Sequence, residues 1–297
     1  MVLRKIFCLN LSKTFSSLAM GKIYASKEEE EAAKREKKKT RFRYGNYNRY
    51  YGTRLGKATK GNDQDDPRLE MLPKHYFEHK SVLDIGCNVG YLTMKIAKRY
   101  GPRRVVGIDI DDILIGLARK HIRNFCPKDV KIDEKTRYPE SFFDGNYEPG
   151  NLDIKFPDNV WFRVENYVLP DDYLLDAVTP EFDVIMALSI TKWIHLNWGD
   201  AGLKRFFDRA FRHLRPNGVF IVEPQDFKTY GKKSNLTPEI KENYKNIELK
   251  PDGFREHLEG LGFVYVEAKE PPKKTVTKGY DRPILFFKKP FNLKNDT

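Results

Sequence analysis

The sequence predicts an α/β fold with a doubly wound, mostly parallel sheet and helices on both faces. Strand and helix signals alternate from Ser81 onward, which is typical of consecutive βα units. The apolar run 82–85 leads directly into a Gly-x-x-x-Gly turn at Gly86 and Gly90. A second apolar run, 105–109, follows after a helix-length interval. Together these observations indicate neighbouring parallel strands joined by a helix.

Continuous apolar runs predict buried strands, and 3.6-residue periodicity predicts the helices between them. Gly101-Pro102 ends the first helix, and the turn Pro216-Asn217-Gly218 precedes a late strand. Residues 127–158 lose periodicity and carry Pro139, Pro149 and Pro157, so we predict a flexible insertion there. In chain order, the predicted elements are strand 82–85, helix 90–100, strand 104–109, helix 112–124, strands 160–164 and 182–188, helix 200–213, strand 218–222, a helix near 252–260, and strands 263–267 and 283–288.

The chain has 297 residues, 40% of them hydrophobic, which suffices for one sizeable core plus tails. We predict a disordered basic tail at 1–40, one domain at 41–290 and a C-terminal tail at 291–297. Residues 1–27 lack acidic residues, as mitochondrial presequences do, but contain a single arginine. Apolar runs fall short of the roughly 18 residues of a membrane span, so we expect no membrane association.

Basic residues exceed acidic ones by 54 to 42, and the net charge of +12 is clustered, as in the run 34–39. Such clusters indicate a phosphate-bearing partner, although a solvated charged helix explains this run equally well. The three cysteines and six histidines are scattered without metal-site spacing. We therefore expect no metal and a reducing, intracellular compartment.

The glycine turn and the acid that ends the second strand together indicate a nucleoside-type cofactor. The turn lets backbone approach a ligand, and Asp109 would accept hydrogen bonds from ribose hydroxyls. A purely structural turn is the alternative. The x-x-x spacing between Gly86 and Gly90 resembles the first motif of class I methyltransferases, which have a Rossmann-like sheet and bind S-adenosylmethionine. Asn166-Tyr167 ends the third strand, as an adenine-facing pair or a plain turn would, and we expect Cys87 to pack rather than react.

Three further segments narrow the reaction. Residues 41–54 alternate aromatics with arginines, which suits base stacking and phosphate binding, although packing of the tyrosines as a helix face explains the tyrosines alone. Residues 188–200 place two tryptophans and a lysine in a predicted loop directly after a buried strand. Glu223-Pro224-Gln225 and the basic stretch 230–233 follow the next strand, where they could cover a bound chain.

With these motifs, residues 41–290 resemble the methylphosphate capping enzyme family, the bicoid-interacting type of RNA methyltransferase. The resemblance rests on Tyr44-Gly45-Asn46-Tyr47, the glycine turn, Thr191-Lys192-Trp193 with its neighbours up to Asp200, and Glu223-Pro224-Gln225. It implies O-methylation of the γ-phosphate of a 5′-triphosphate small nuclear RNA, as in the 7SK-capping branch. It assigns the cofactor S-adenosyl-L-methionine to Tyr44, Arg54, Gly86, Cys87, Asn88, Asp109, Ile110, Asn166, Tyr167 and Leu188.

A phosphate oxygen is anionic at neutral pH, so methyl transfer to it needs positioning rather than a general base. The resemblance places Lys192 and Tyr44 at the reacting phosphate as the catalytic pair, and we expect a structural role for His195. RNA contacts are expected from Arg49, Lys192, Trp193, Lys232 and Lys233.

Three alternatives stay open at this stage: a methyltransferase acting on 5′-monophosphate RNA, an RNA-binding scaffold that protects a capped end, and a small-molecule or protein methyltransferase on the same fold. The leading interpretation implies a nuclear protein, with a cytoplasmic location as the alternative. It also implies ribonucleoprotein partners and a monomer outside the RNA complex.

Overall fold

The computed structural model describes residues 31, 40–47, 49–54, 65–126, 155–272 and 280–291. The chain divides into a unit Met1–Lys39, in which the one described residue, Glu31, is helical and exposed, and a unit Thr40–Thr297. The second unit carries every element discussed below. Its strands are β1 (Ser81–Ile85), β2 (Arg104–Asp109), β3 (Val160–Val164), β4 (Phe182–Leu188), β5 (Leu214–Glu223), β6 (Val264–Lys269) and β7 (Ile284–Lys288). Its helices are α1 (Tyr50–Arg54), α2 (Arg68–Met71), α3 (Tyr91–Arg99), α4 (Asp112–Phe125), α5 (Thr191–His213), α6 (Pro238–Lys245) and α7 (Phe254–Gly260).

The seven strands form one sheet in the order β3-β2-β1-β4-β5-β7-β6. The first five are mutually parallel, while β7 is antiparallel to both β5 and β6. Helices cover both faces, and an apolar core fills the space on each side of the sheet. The predicted fold class is therefore confirmed. The strand order reverses between β1 and β4, which places a crevice at their carboxyl ends.

The sheet interior follows directly from the sequence. Every residue of β1 is buried, as expected for a strand covered on both faces. Asp111 begins α4 by accepting hydrogen bonds from the backbone N–H groups of Ile113 and Leu114. Thr237 caps α6 in the same way through the N–H of Ile240.

Several predicted boundaries were wrong. The predicted loop before the helix at 200 is helical from Thr191, because Gln225 accepts hydrogen bonds from the Thr191 hydroxyl and the Lys192 N–H. Gly199 (φ 62°, ψ −167°) therefore interrupts α5 rather than preceding it. Strand β5 begins at Leu214, before the predicted turn, since Leu214 pairs with Phe182 ahead of a register shift. Strand β6 lies at 264–269 instead of 263–267.

Residues 127–154 of the predicted insertion 127–158 lie outside the described residues. The predicted tails also lie outside them, except for residues 31 and 40 of the N-terminal tail and residue 291 of the C-terminal tail. Within the described part of the chain, no helix is long and apolar enough to cross a membrane.

Candidate active site

A cleft of about 450 Å³ lies at the carboxyl ends of the parallel strands. This volume is in the range of small-molecule and cofactor sites. Its floor is formed where β1, β2, β3 and β4 end, and the start of α5 forms one wall. Residues from the N-terminal stretch 41–54, called here the approach segment, form another part of the wall. The crevice anticipated from the strand order is therefore a real cavity.

Ile190 packs directly against the turn after β1, at a position where the turn carries no side chain. Gly86 has φ +74°, and a Cβ atom there would lie 2.3 Å from Ile190 Cγ2. Asn88 also has a positive φ of 55°, a conformation that costs energy for a residue with a side chain. Its N–H donates to Asp109 Oδ2 at 2.9 Å, which ties the turn to the end of β2. Backbone strain and hydrogen bonding thus coincide where a ligand would enter.

Asp109 is an acidic residue at the floor of the cleft, which Asp84 and Glu165 also line. Its carboxylate is 8% exposed and accepts N–H groups from Asn88 and Asp111. Burial raises the pKa of Asp109 to about 6, with the two backbone hydrogen bonds opposing that rise. The carboxylate is therefore largely ionised at neutral pH and can accept further hydrogen bonds.

The approach segment is held to both sides of the cleft. Tyr44 stacks on Trp198 with ring centroids 5.7 Å apart, and Asn197 Nδ2 donates to the carbonyl of Arg43 at 2.8 Å. On the other side, Asn88 Nδ2 donates to the carbonyl of Tyr47 at 3.1 Å. A Cβ atom at Gly45 would lie 2.2 Å from the Trp193 indole, so glycine is required for this approach. The aromatic and tryptophan motifs are therefore halves of one packed interface.

Lys192 stands at the start of α5, beside the cleft. Gln225 Oε1 accepts from both the Lys192 N–H and the Thr191 hydroxyl at 3.0 Å, which fixes the first turn of the helix. The Lys192 ammonium donates to Thr229 Oγ1 at 3.4 Å. Burial, followed by the charges of Arg282, Lys233 and Lys232, lowers the pKa of Lys192 to about 8. A crowded cation of this kind favours an anion beside it.

The structure brings most of the sequence-predicted residues to this cleft. Those that line it are Tyr44, Gly86, Cys87, Asn88, Asp109, Ile110, Asn166, Tyr167, Leu188, Lys192, Trp193 and Lys233. Arg49 and Lys232 are exposed and do not line it. Their predicted RNA contacts stay predictions.

Arg54 is not among the lining residues, in contrast to its predicted position. It is 5% exposed, and its guanidinium contacts Glu223 at 3.2 Å and Asp66 at 3.5 Å. The pull of these two carboxylates directs it into the protein. Tyr167 lines the cleft, but its hydroxyl bonds His213 Nδ1 at 3.1 Å, so the polar group of the predicted adenine-facing pair points to the core.

Two other side chains occupy structural positions. His195 is fully buried, and its Nε2 lies 2.6 Å from Asp200 Oδ1. Asp200 also accepts the N–H of Leu249, so this pair links α5 to the loop before α7. Cys87 is 2% exposed, and burial raises the pKa of its thiol, in keeping with a packing role.

Sequence reasoning missed the polar residues that support the cleft. Asn46 donates to the Asp111 carboxylate and so joins the approach segment to the start of α4. Ser189, Arg68 and Arg282 meet around the Glu223 carboxylate. The position of Glu223 at a strand end was the available signal for that cluster, whereas Arg68 and Arg282 come from distant parts of the chain.

Comparison with known proteins shows the family to which this chain belongs. Residues 182–289 match the family model of bicoid-interacting protein 3 (Bin3), and residues 83–220 match a methyltransferase domain. A U6 snRNA methylphosphate capping enzyme of Drosophila melanogaster is 38% identical over 252 residues, covering 84% of this chain and 75% of that protein. This chain belongs to the bicoid-interacting protein 3 family. The predicted resemblance and methyltransferase fold are confirmed.

Two further relatives bear on the extent of the match. A probable RNA methyltransferase of Arabidopsis thaliana is 38% identical, with 84% of this chain and 81% of that protein covered. The human 7SK snRNA methylphosphate capping enzyme is 40% identical over 290 residues, with 87% of this chain covered. The chain spans 41% of that human protein's length.

The residues of the cleft fit S-adenosylmethionine. The Asn88 Oδ1 atom is buried and has no hydrogen-bond partner among the described residues, so it can accept from a ligand. Asp109 offers an anionic acceptor beside it, since its carboxylate accepts the Asn88 N–H. Hydroxyl and amino groups of an adenosine moiety are donors of the kind that these acceptors require.

Proposed function

We propose that this chain is an S-adenosylmethionine-dependent methyltransferase that O-methylates the 5′-terminal phosphate of RNA, with the γ-phosphate of a triphosphate end as acceptor. One observation carries the proposal. The half-buried, crowded ammonium of Lys192 lines the same cleft as the glycine turn and Asp109. A nucleoside site and an anion site therefore share one cavity. The names of the capping relatives support this choice of acceptor.

The cofactor end of the cleft holds and orients the methyl donor. S-adenosylmethionine supplies a methyl group on a sulfonium centre. Asp109 and Asn88 would provide acceptors for its nucleoside part, and Gly86 lines the same end of the cleft. The approach segment covers the cleft through Tyr44 and Tyr47, which limits the access of water.

The acceptor end holds a phosphate that already carries the attacking electron pair. No proton has to be removed from an ionised phosphate oxygen, which explains why His195 can serve the fold instead of acting as a base. Lys192 neutralises the non-reacting oxygens, and the Tyr44 hydroxyl donates to the same group. Both side chains would align the attacking oxygen with the methyl group, and alignment of this kind accounts for much of enzymatic rate enhancement. The new O–CH3 bond would form as the S–CH3 bond breaks, and the sulfur would keep the electron pair as neutral S-adenosylhomocysteine.

The experiment is methyl transfer from radiolabelled S-adenosylmethionine to one transcript carrying a 5′-triphosphate, a 5′-monophosphate or a 5′-hydroxyl. We expect label on the triphosphate RNA and none on the 5′-hydroxyl RNA. Label on the monophosphate RNA alone would replace the triphosphate with the monophosphate as acceptor. Label on 5′-hydroxyl RNA would overturn phosphate methylation altogether, because the methyl group would then lie on a base or a ribose.

We further propose a small nuclear RNA as substrate, ribonucleoprotein partners, and a nuclear location for this chain. The named substrates of the capping relatives and the net charge of +12 support these points. Sequencing of RNA crosslinked to the tagged protein in cells tests the substrate, mass spectrometry of co-purified proteins tests the partners, and imaging tests the location. Size-exclusion chromatography with light scattering tests the proposed monomer outside the RNA complex.

A further inference from the structure

Arg282 lies in the cleft although no sequence motif pointed to it. It precedes β7, lines the cavity, and its side chain is 13% exposed. Its Nη2 atom donates hydrogen bonds to Ser189 Oγ at 2.7 Å and to Glu223 Oε1 at 3.1 Å. The Nε atom is buried and has no hydrogen-bond partner among the described residues. The guanidinium is therefore fixed on one side and retains an unused donor.

The carboxylate that holds Arg282 is already shared. Glu223 Oε1 also contacts Arg54 at 3.2 Å, and Oε2 accepts the Ser189 hydroxyl at 2.6 Å and contacts Arg68 at 3.5 Å. Burial opposes ionisation of Glu223, but the three arginines lower its pKa overall. One carboxylate cannot neutralise three guanidiniums.

The second carboxylate of the cluster does not reach Arg282. Asp66 contacts Arg68 at 2.7 Å and Arg54 at 3.5 Å. Among the described residues, Glu223 is the one acidic side chain within ion-pair distance of Arg282. Arg282 is therefore the least compensated of the three arginines, and it faces the cavity.

Arg282 and Lys192 line the same cleft. Apart from burial, Arg282 is the largest cause of the lowered pKa of Lys192, ahead of Lys233 and Lys232. The two cations reach the cleft from different elements, Lys192 from the start of α5 and Arg282 from the segment before β7. Two like charges held close together cost energy unless an anion lies with them.

We propose that Arg282 is a second phosphate-binding residue, which with Lys192 holds the terminal phosphate of the acceptor, and that Glu223 positions its guanidinium. The planar guanidinium orients phosphate oxygens through directed hydrogen bonds, whereas the ammonium supplies a compact charge. This inference rests on the proposed function, because it requires a phosphate acceptor in the cleft.

The test compares Arg282→Gln, Arg282→Lys and the control Arg255→Gln, which changes an exposed arginine on α7. Binding of 5′-triphosphate and 5′-hydroxyl forms of one RNA is measured together with methyl transfer and S-adenosylhomocysteine affinity. For Arg282→Gln we expect the preference for triphosphate over hydroxyl RNA to fall at least tenfold and kcat/KM to fall more, with S-adenosylhomocysteine affinity within about twofold of wild type. Arg282→Lys should restore part of the preference, and Arg255→Gln should change none of these quantities.

The outcomes separate the inference from the proposed function. If wild type methylates no terminal phosphate, the proposed function fails. If wild type is active and Arg282→Gln keeps the full triphosphate preference, the inference alone is overturned. Loss of binding to both RNA forms in equal proportion would also overturn it, because that indicates a structural role. Should Arg282→Gln not fold, Arg282→Lys carries the test: an unchanged preference and kcat/KM would contradict the proposal.

A pH profile gives a second readout. Removing the Arg282 charge should raise the pKa of Lys192, since Lys233 and Lys232 are then the remaining cations that lower it. The pH at which triphosphate affinity declines should therefore move upward in Arg282→Gln but stay in place in Arg255→Gln. An unshifted profile in Arg282→Gln would contradict the shared phosphate site.

Discussion

The contact between the approach segment and α5 predicts a sharp difference between two glycine-to-alanine changes in the same segment. At Gly45, φ is +72° and a Cβ atom would lie 2.2 Å from the Trp193 indole. At Gly52, the space is open, with nothing within 4 Å. Gly45→Ala should therefore impair the closed cleft, whereas Gly52→Ala should leave it intact or strengthen α1.

The magnitude follows from two costs. An alanine in the left-handed region costs about 1–2 kcal/mol. Ordinary van der Waals contact begins at 3.4 Å, so the Trp193 indole must also move by about 1.2 Å, which disturbs its contact with Tyr47. The cost of the left-handed backbone alone reduces the population of molecules in which the approach segment packs against α5 by about 5–30-fold. Gly52→Ala lies within a helix, where alanine is favoured by about 0.5–1 kcal/mol.

The assay is kcat/KM for methyl transfer at limiting RNA, accompanied by the thermal midpoint of each variant. We expect Gly45→Ala to lose at least fivefold in kcat/KM while the midpoint changes little, because the apolar clusters on the two faces of the sheet do not involve Gly45. Gly52→Ala should match or exceed wild type. Equal kcat/KM for the two variants would refute the requirement for this packed interface.

Three other changes have defined outcomes. Lys192→Ala should lower kcat by two to three powers of ten, equivalent to about 3–4 kcal/mol. The S-adenosylhomocysteine affinity of this variant, measured by calorimetry, should stay near wild type. An unchanged kcat would remove Lys192 from the mechanism. Affinity for 5′-triphosphate RNA should be full below pH 8 and decline above it, because a bound phosphate favours the protonated form of Lys192. The pKa of Lys192 is about 8 in the ligand-free protein. A flat profile from pH 7 to 9.5 in a filter-binding assay would contradict this assignment. His195→Gln should reduce the free energy of unfolding by about 1–3 kcal/mol in urea titrations, because Asp200 loses a well-placed partner. The kcat of this variant should stay within about threefold of wild type. A hundredfold loss of kcat would make His195 a catalytic base instead.

The sheet was predictable because its signals are local. Continuous apolar runs such as β1 and β4 must be buried on both faces, and the glycine turn fixes where β1 ends. The start of α5 was not predictable in the same way, since Gly199 and two tryptophans are typical of a loop. It is helical because Gln225 caps its first turn and the approach segment packs on its side, and both contacts join residues far apart in sequence.

The site divides along the same line. Asp109 is the last residue of β2, and Lys192 comes shortly after the end of β4, so their positions at the cleft could be predicted from the sequence. Arg54 lies in the predicted segment, but its guanidinium pairs with Glu223 and Asp66 and does not line the cavity, so its cofactor contact stays a prediction. Arg282 shows the converse, because it carries no motif and reaches the cleft through the antiparallel return of β7. The carboxylate of Glu223 connects the two, since it turns one arginine inward and holds the other where an entering phosphate would meet it.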